Sequence, residues 1–254
     1  MYTNIFDTHS HYDDDKFDSD RFSLLSSLPD KGIDKVVSCG CDIQSCKFNK
    51  LLSEKFDYFY FAAGFHPENL EGLSKDDLHI IKELAKDEKC LAIGEIGLDY
   101  HWMSSTKEKQ KDYFKSQIIL AKSLDMPVIV HDRDAHGDTL DILRQTKPKG
   151  VLHCFSGSKE MAGEIIRLGM YIGLNGVATF RNARKSLEVV KTIPLDRLVL
   201  ETDCPYLAPE PHRGVRNDSS YIPFIAKRIG EVIGESAQTV LDITNENAHR
   251  LYEL

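Results

Sequence analysis

Six side chains able to hold a metal ion stand where apolar segments stop: His9, His11, Glu95, His131, His153 and Asp203. Leu91–Glu95 is apolar until its final carboxylate. Pro127–His131 and Gly150–His153 each end in an imidazole, and Leu198–Asp203 closes on two carboxylates at strand spacing, Glu201 and Asp203. A carboxylate buried at the end of an apolar strand is costly unless it is paired or coordinated. One such residue is more often a satisfied structural group than a ligand. Four apolar segments ending this way, with two further histidines after the first segment, point instead to a metal centre. Residues two apart on an extended segment share a side, so Asp7, His9 and His11 are expected to face one mouth.

The donor set constrains the chemistry. Mixed nitrogen and oxygen ligands without thiolate suit Zn²⁺, Mn²⁺ or Mg²⁺ without choosing among them. Six ligands are too many for one catalytic ion that keeps an open position. They suffice for two ions roughly 3.5–4 Å apart that share a bridging carboxylate and a bridging hydroxide as nucleophile. Glu95 is the expected bridge. Asp203 is the expected partner of the attacking water, orienting it or taking its proton. Asp7 and Glu201 are expected to fix a ligand histidine from behind.

Substrate contacts are sought nearby. His66, in Gly64-Phe-His-Pro67, and Arg133, two after His131, are candidate phosphate donors, since a guanidinium grips phosphate in a bidentate fork. Arg213 and Arg216, in a loop after the last strand, would supply a local positive patch; Arg181 and Arg184 are weaker candidates. Trp102, the sole tryptophan, could stack a base or pack a helix. Cys154 and Cys204 each follow a ligand, and alternation would turn them away from the metals.

Elements that could position these groups recur along the chain. Strand segments are expected at Asn4–Asp7, Lys35–Cys39, Tyr58–Ala63, Cys90–Glu95, Pro127–His131, Gly150–His153, Met170–Leu174 and Leu198–Glu201. Helical spacing runs between them, most clearly over Lys107–Leu124, and also over Ser74–Asp87, Lys159–Leu168, Tyr221–Ile233 and Ala237–Tyr252. Eight strands alternating with helices predict an α/β fold, a single (β/α)₈ TIM barrel spanning 1–254, with the site at the C-terminal ends of the strands. A doubly wound sheet would want a glycine-rich phosphate loop after the first strand. That strand instead runs into Asp-Thr-His-Ser-His.

Bulk properties narrow the partners. The 254 residues carry a net charge of −8, which argues against a protein that holds nucleic acid over its whole surface. Any nucleic acid must be gripped through a local patch or through bound cations. The six cysteines form no paired CxxC set, so they read as free thiols in a reducing compartment. With no signal-like start and no apolar run near the ~20 residues a bilayer requires, the expectation is a cytoplasmic protein with no membrane association. No obligate protein partner is indicated.

The motifs resemble those of the TatD family of metal-dependent deoxyribonucleases, within the amidohydrolase-like barrels. The resemblance is carried by Asp7-Thr-His-Ser-His11, Gly64-Phe-His-Pro67, Gly94-Glu-Ile-Gly-Leu-Asp-Tyr100, Pro127-Val-Ile-Val-His-Asp-Arg133, His153-Cys-Phe-Ser-Gly157 and Glu201-Thr-Asp-Cys-Pro-Tyr-Leu-Ala-Pro209. It implies a nuclease hydrolysing phosphodiester bonds of DNA, from the 3′ end, with RNA a substrate of some members. His9 and His11 match the family's first metal pair, Glu95 the bridge, His131 and His153 the second-site imidazoles and Asp203 the last ligand. Relatives bridged by a carbamylated lysine also carry that ligand on the fourth strand; glutamate there supports the nuclease branch. The rival readings are an amidohydrolase acting on a small cyclic amide or lactone, and a non-catalytic binding protein with a vestigial site. A small amide would have no need of the arginines.

Overall fold

The computed structural model describes residues 2–254. Eight parallel strands form one sheet in chain order: β1 (Ile5–Ser10), β2 (Ile33–Cys39), β3 (Phe59–Ala63), β4 (Cys90–Asp99), β5 (Val128–Arg133), β6 (Gly150–Leu152), β7 (Tyr171–Leu174) and β8 (Leu198–Leu200). The helices are α1 (Arg21–Ser27), α2 (Ile43–Ser53), α3 (Leu78–Leu84), α4 (Lys107–Ser123), α5 (His136–Thr146), α6 (Lys159–Arg167), α7 (Arg184–Thr192), α8 (Ile222–Ile233) and α9 (Ala237–Tyr252). This is the expected TIM barrel. Among the described residues no helix is long and apolar enough to cross a membrane.

Strand alternation explains the two-sided burial. Val36, Phe61, Ile93, Val128 and Leu152 pack outward under the helices. Phe6, Val37, Ala62, Ala92, Ile129, Val151 and Val199 form a separate apolar cluster, on which Ala248, Leu251 and Tyr252 of α9 pack. In α4 the 3.6-residue period puts Tyr113, Phe114, Ile118 and Ala121 on the buried face. The same face carries two buried glutamines. Gln117 exchanges hydrogen bonds with the backbone of Phe65, and Gln110 with that of Asp99. One helix therefore fixes the chain where it leaves both β3 and β4.

Several expected strand limits move near the site. The first strand runs on to Ser10 and the fourth to Asp99, while the sixth and eighth stop before His153 and Glu201. Both extended strands shift register against their neighbours. Asp7 pairs with Val36 but Ser10 with Ser38, and Ile93 pairs with Val128 but Ile96 with Val130. Each shift inserts one extra residue, which re-aims the side chains there. Gly94 permits the second shift, because a Cβ there would lie 2.7 Å from Cβ of Ile129.

No ladder joins β8 to β1. The seam is closed by discrete bonds instead: Thr8 Oγ1 donates to Leu200 O, Asp203 N to His9 O and His11 N to Cys204 O. Asp7 completes it. Its carboxylate accepts from Thr202 N (2.9 Å), Thr202 Oγ1 (2.6 Å) and Ser219 Oγ (2.6 Å).

Candidate metal centre

Six predicted donors converge at the barrel mouth, and Glu95 sits between two groups of them. Its Oε2 lies 3.3 Å from His9 Nε2 and 3.4 Å from His11 Nε2. Its Oε1 lies 2.8 Å from His131 Nδ1 and 2.7 Å from His153 Nε2. Asp203 Oδ1 faces the first group, 3.5 Å from His9 Nε2 and 3.4 Å from His11 Nε2. In each group two ring nitrogens approach one another: His9 Nε2 and His11 Nε2 at 3.1 Å, His131 Nδ1 and His153 Nε2 at 3.3 Å.

The outer ring nitrogens show which lone pairs face inward. His11 Nδ1 lies 3.0 Å from the carbonyl of Cys39, which can only accept, so Nδ1 carries the proton and Nε2 presents its lone pair. His131 Nε2 lies 3.0 Å from Asp99 Oδ2, so its proton sits there and Nδ1 faces Glu95. Such convergence of nitrogen lone pairs on carboxylate oxygens fits divalent cations. The donor atoms of His9, Glu95 and His153 lie within 4.8 Å of one another, as do those of His9, His11 and Asp203.

The electrostatics follow from burial among imidazoles. Burial is the largest influence on Glu95 and would raise its carboxyl. The surrounding imidazoles of His153, His9 and His66 hold it well below the usual carboxylate range instead. Asp203 is likewise favoured by burial toward protonation, yet hydrogen bonds from His11 and His9 keep it low. Burial lowers His131, but as an imidazolium it donates to both Asp99 and Glu95 and rises to about 9, so a cation taking Nδ1 would have to displace the proton there.

Asp99 lies beyond the expected end of the fourth strand at Glu95, yet β4 carries it to the same mouth two alternations further on. Its Oδ2 holds His131, and its Oδ1 accepts from His101 N at 2.8 Å and Trp102 N at 2.7 Å. It stands behind His131, the kind of position expected of Asp7 and Glu201. Asp7 does not face the mouth with His9 and His11. The register shift after it breaks the alternation, and its carboxylate closes the barrel seam. Burial, the largest influence there, raises it to about 6 against the pull of its hydrogen bonds. Glu201 does lie behind His153, 3.6 Å from its Nδ1, while its Oε1 accepts from Cys154 N at 2.6 Å. His153 Nδ1 and Glu201 Oε2 are both buried without a hydrogen-bond partner.

The remaining candidates separate. His66 is buried; its Nδ1 accepts from Glu68 N, so Nε2 carries the hydrogen, and it lies 3.5 Å from Glu95 Oε1. Burial, foremost, keeps this imidazole below its ordinary value and hence neutral. Arg133 lies over the ring of Trp102, and Arg213 over the ring of Phe180 at 4.4 Å. Arg216 is otherwise engaged. Its guanidinium forks onto Asp20 at 2.7 and 2.6 Å and packs on Phe17, so the side chain expected to be free for phosphate is held in an ion pair. Arg184 pairs with Glu188 on α7. Cys204 is buried as expected. Cys154 instead lines a cleft of about 350 Å³ with Phe155, Asn175 and Phe180, because a left-handed backbone at φ 45° replaces strand alternation there.

A model of the TatD-related DNase family matches residues 6–253. The chain belongs to this family. Its similarity to an uncharacterized metal-dependent hydrolase, YabD, of Bacillus subtilis reaches 41% identity over 253 residues, 98% of this chain and 99% of the relative. The 3′-5′ ssDNA/RNA exonuclease TatD of Pectobacterium parmentieri is 32% identical over 259 residues, 98% of this chain and 100% of the relative. The crystal structure of YJJV, a TatD homologue from Escherichia coli K12, superposes with a TM-score of 0.90 at 28% identity, covering all of both chains. These matches make the chain a metal-dependent hydrolase of the TatD family.

Proposed function

We propose that this chain is a nuclease that removes nucleotides from the 3′ end of single-stranded DNA, and of RNA, at a pair of divalent cations. The observation that carries the reading is the division of the Glu95 carboxylate, one oxygen turned to His9 and His11 and the other to His131 and His153. His9, His11 and Asp203 would hold one cation, His131 and His153 the other, with Glu95 shared. When bound, such cations polarise phosphoryl oxygens and acidify a coordinated water.

The chain's own groups then have separate tasks. Asp203, held ionised by His11 and His9, accepts the proton of the attacking water. Asp99 and the Cys39 carbonyl keep the lone pairs of His131 and His11 turned inward. His66 offers Nε2–H as a neutral donor to a phosphoryl oxygen. Arg133 and Arg213 meet the flanking phosphates, giving the acidic chain the local positive charge that such a substrate requires. The name of the Pectobacterium relative supports the substrate class and the polarity.

The test is cleavage of 5′-labelled and 3′-labelled oligonucleotides, single-stranded and duplex, with Mg²⁺, Mn²⁺ or Zn²⁺. A ladder shortening from the 3′ end is expected, abolished by Glu95→Gln. Absence of cleavage by folded, metal-loaded protein with every metal would refute the proposal.

A further inference from the structure

Trp102 is 57% exposed, although large aromatic side chains are normally among the most buried. Helix packing is therefore not its role. The loop bearing it is held at both ends. At the start, Asp99 Oδ1 accepts from the backbone of both His101 and Trp102; at the end, Ser104 Oγ donates to Glu68 O at 2.6 Å. The ring is not loosely presented: His101 meets it edge-on at 4.6 Å, and the Arg133 guanidinium lies 5.7 Å from its centroid. Arg133 itself is exposed and engages no carboxylate among the described residues. Met103 beside it is 49% exposed and widens the apolar ledge.

An anchored aromatic face next to an unneutralised guanidinium suits a planar base carrying a phosphate. The ledge is also continuous with the metal centre, because the carboxylate that holds the Trp102 backbone holds His131 with its other oxygen. We propose that Trp102 and Arg133 form a stacking subsite for one unpaired base of a single strand whose backbone leads to the metal centre. This rests on the nuclease reading for the identity of the strand. Selectivity for single strands follows, since a base in a duplex has its faces covered by its neighbours. The subsite reads no base edge, so it is tolerant of sequence.

The sole tryptophan makes the test direct. An all-phosphorothioate oligothymidylate, which resists cleavage, is titrated into the Mg²⁺-loaded protein. Trp102 emission should be quenched, and an abasic strand of the same length should quench it far less. By anisotropy of a labelled strand, Trp102→Ala should weaken binding about 5- to 150-fold, the range for loss of one stacked base. Trp102→Phe should restore most of it, and Trp102→Ala should bind the base-bearing and abasic strands alike. Equal quenching by both strands, or equal affinity of wild type and Trp102→Ala, would overturn the proposal. Base-dependent quenching without any cleavage of an ordinary strand would uphold the subsite while refuting the nuclease reading. Cleavage without quenching would do the reverse.

Discussion

Replacing Asp99 with asparagine isolates what the carboxylate behind His131 contributes. Its two oxygens accept three hydrogen bonds, from His131 Nε2, His101 N and Trp102 N. An asparagine has the same shape but one donor end. If its NH₂ faces His131, two donors meet and the imidazole must change tautomer, withdrawing the lone pair from Glu95. If the NH₂ faces the loop, it meets two backbone N–H groups. Outer partners of metal-binding histidines typically contribute 10–100-fold to metal affinity. A loss of that size removes about 1.4–2.7 kcal/mol of metal-linked stability at saturating metal. At about 2–4 °C per kcal/mol for a chain of this size, the gap in Tm between metal-loaded and chelator-treated protein should narrow by about 3–11 °C. Calorimetric titration should show the weakening in one binding step, with the step assigned to His9, His11 and Asp203 unchanged. An Asp99→Asn protein with an unaltered Tm gap and both steps intact would refute the argument.

Other substitutions probe other parts of the geometry. Asp7→Ala leaves the Thr202 amide and the Ser219 hydroxyl buried without their acceptor, so chemical denaturation should show a loss of about 2–4 kcal/mol. Gly97→Ala places a Cβ 2.0 Å from His131 O at φ +150°, so it should force β4 away from β5, and differential scanning fluorimetry should show a marked fall in Tm. Arg213→Ala should raise KM for oligonucleotides about ten-fold while leaving kcat near wild type, as expected for loss of one charge-assisted phosphate contact. Arg216→Ala should leave KM within about two-fold and show its effect in thermal stability instead, because its fork already holds Asp20.

Much of the site was readable because apolar segments ending in His, Glu or Asp are a local signal. Glu95, His131, His153 and Asp203 each stand at or just beyond a strand, and the TIM barrel follows from the alternation that separates them. The misplacements share a cause, a local rule overridden by a partner distant in sequence. Asp7 obeys the period of two only up to the register shift, where β2 decides which way it points. Asp99 lay beyond the strand end expected at Glu95, yet β5 pairs with this segment as far as Arg133. Arg216 looked free because Asp20, its partner, lies 196 residues away. Helix limits were easier: Ala237–Tyr252 was placed to the residue, since Ser236 caps it and its period is unbroken. The expected Ser74–Asp87 helix shrinks to Leu78–Leu84 after a short tight turn.

The barrel seam has a consequence for how the protein comes apart. The bonds that fasten β1 to the segment after β8 connect residues about 195 positions apart in the chain, and the same two segments supply His9, His11 and Asp203. The C-terminal helix adds its own fastening, with the Tyr252 hydroxyl donating to Thr8 O. Prising the seam open therefore scatters one half of the donor cluster in the same motion. Hydrogen exchange at the Thr202 and Asp203 amides and release of an ion bound at His9 and His11 should be one event, so a cation there would act as a latch on the fold as well as a reagent within it.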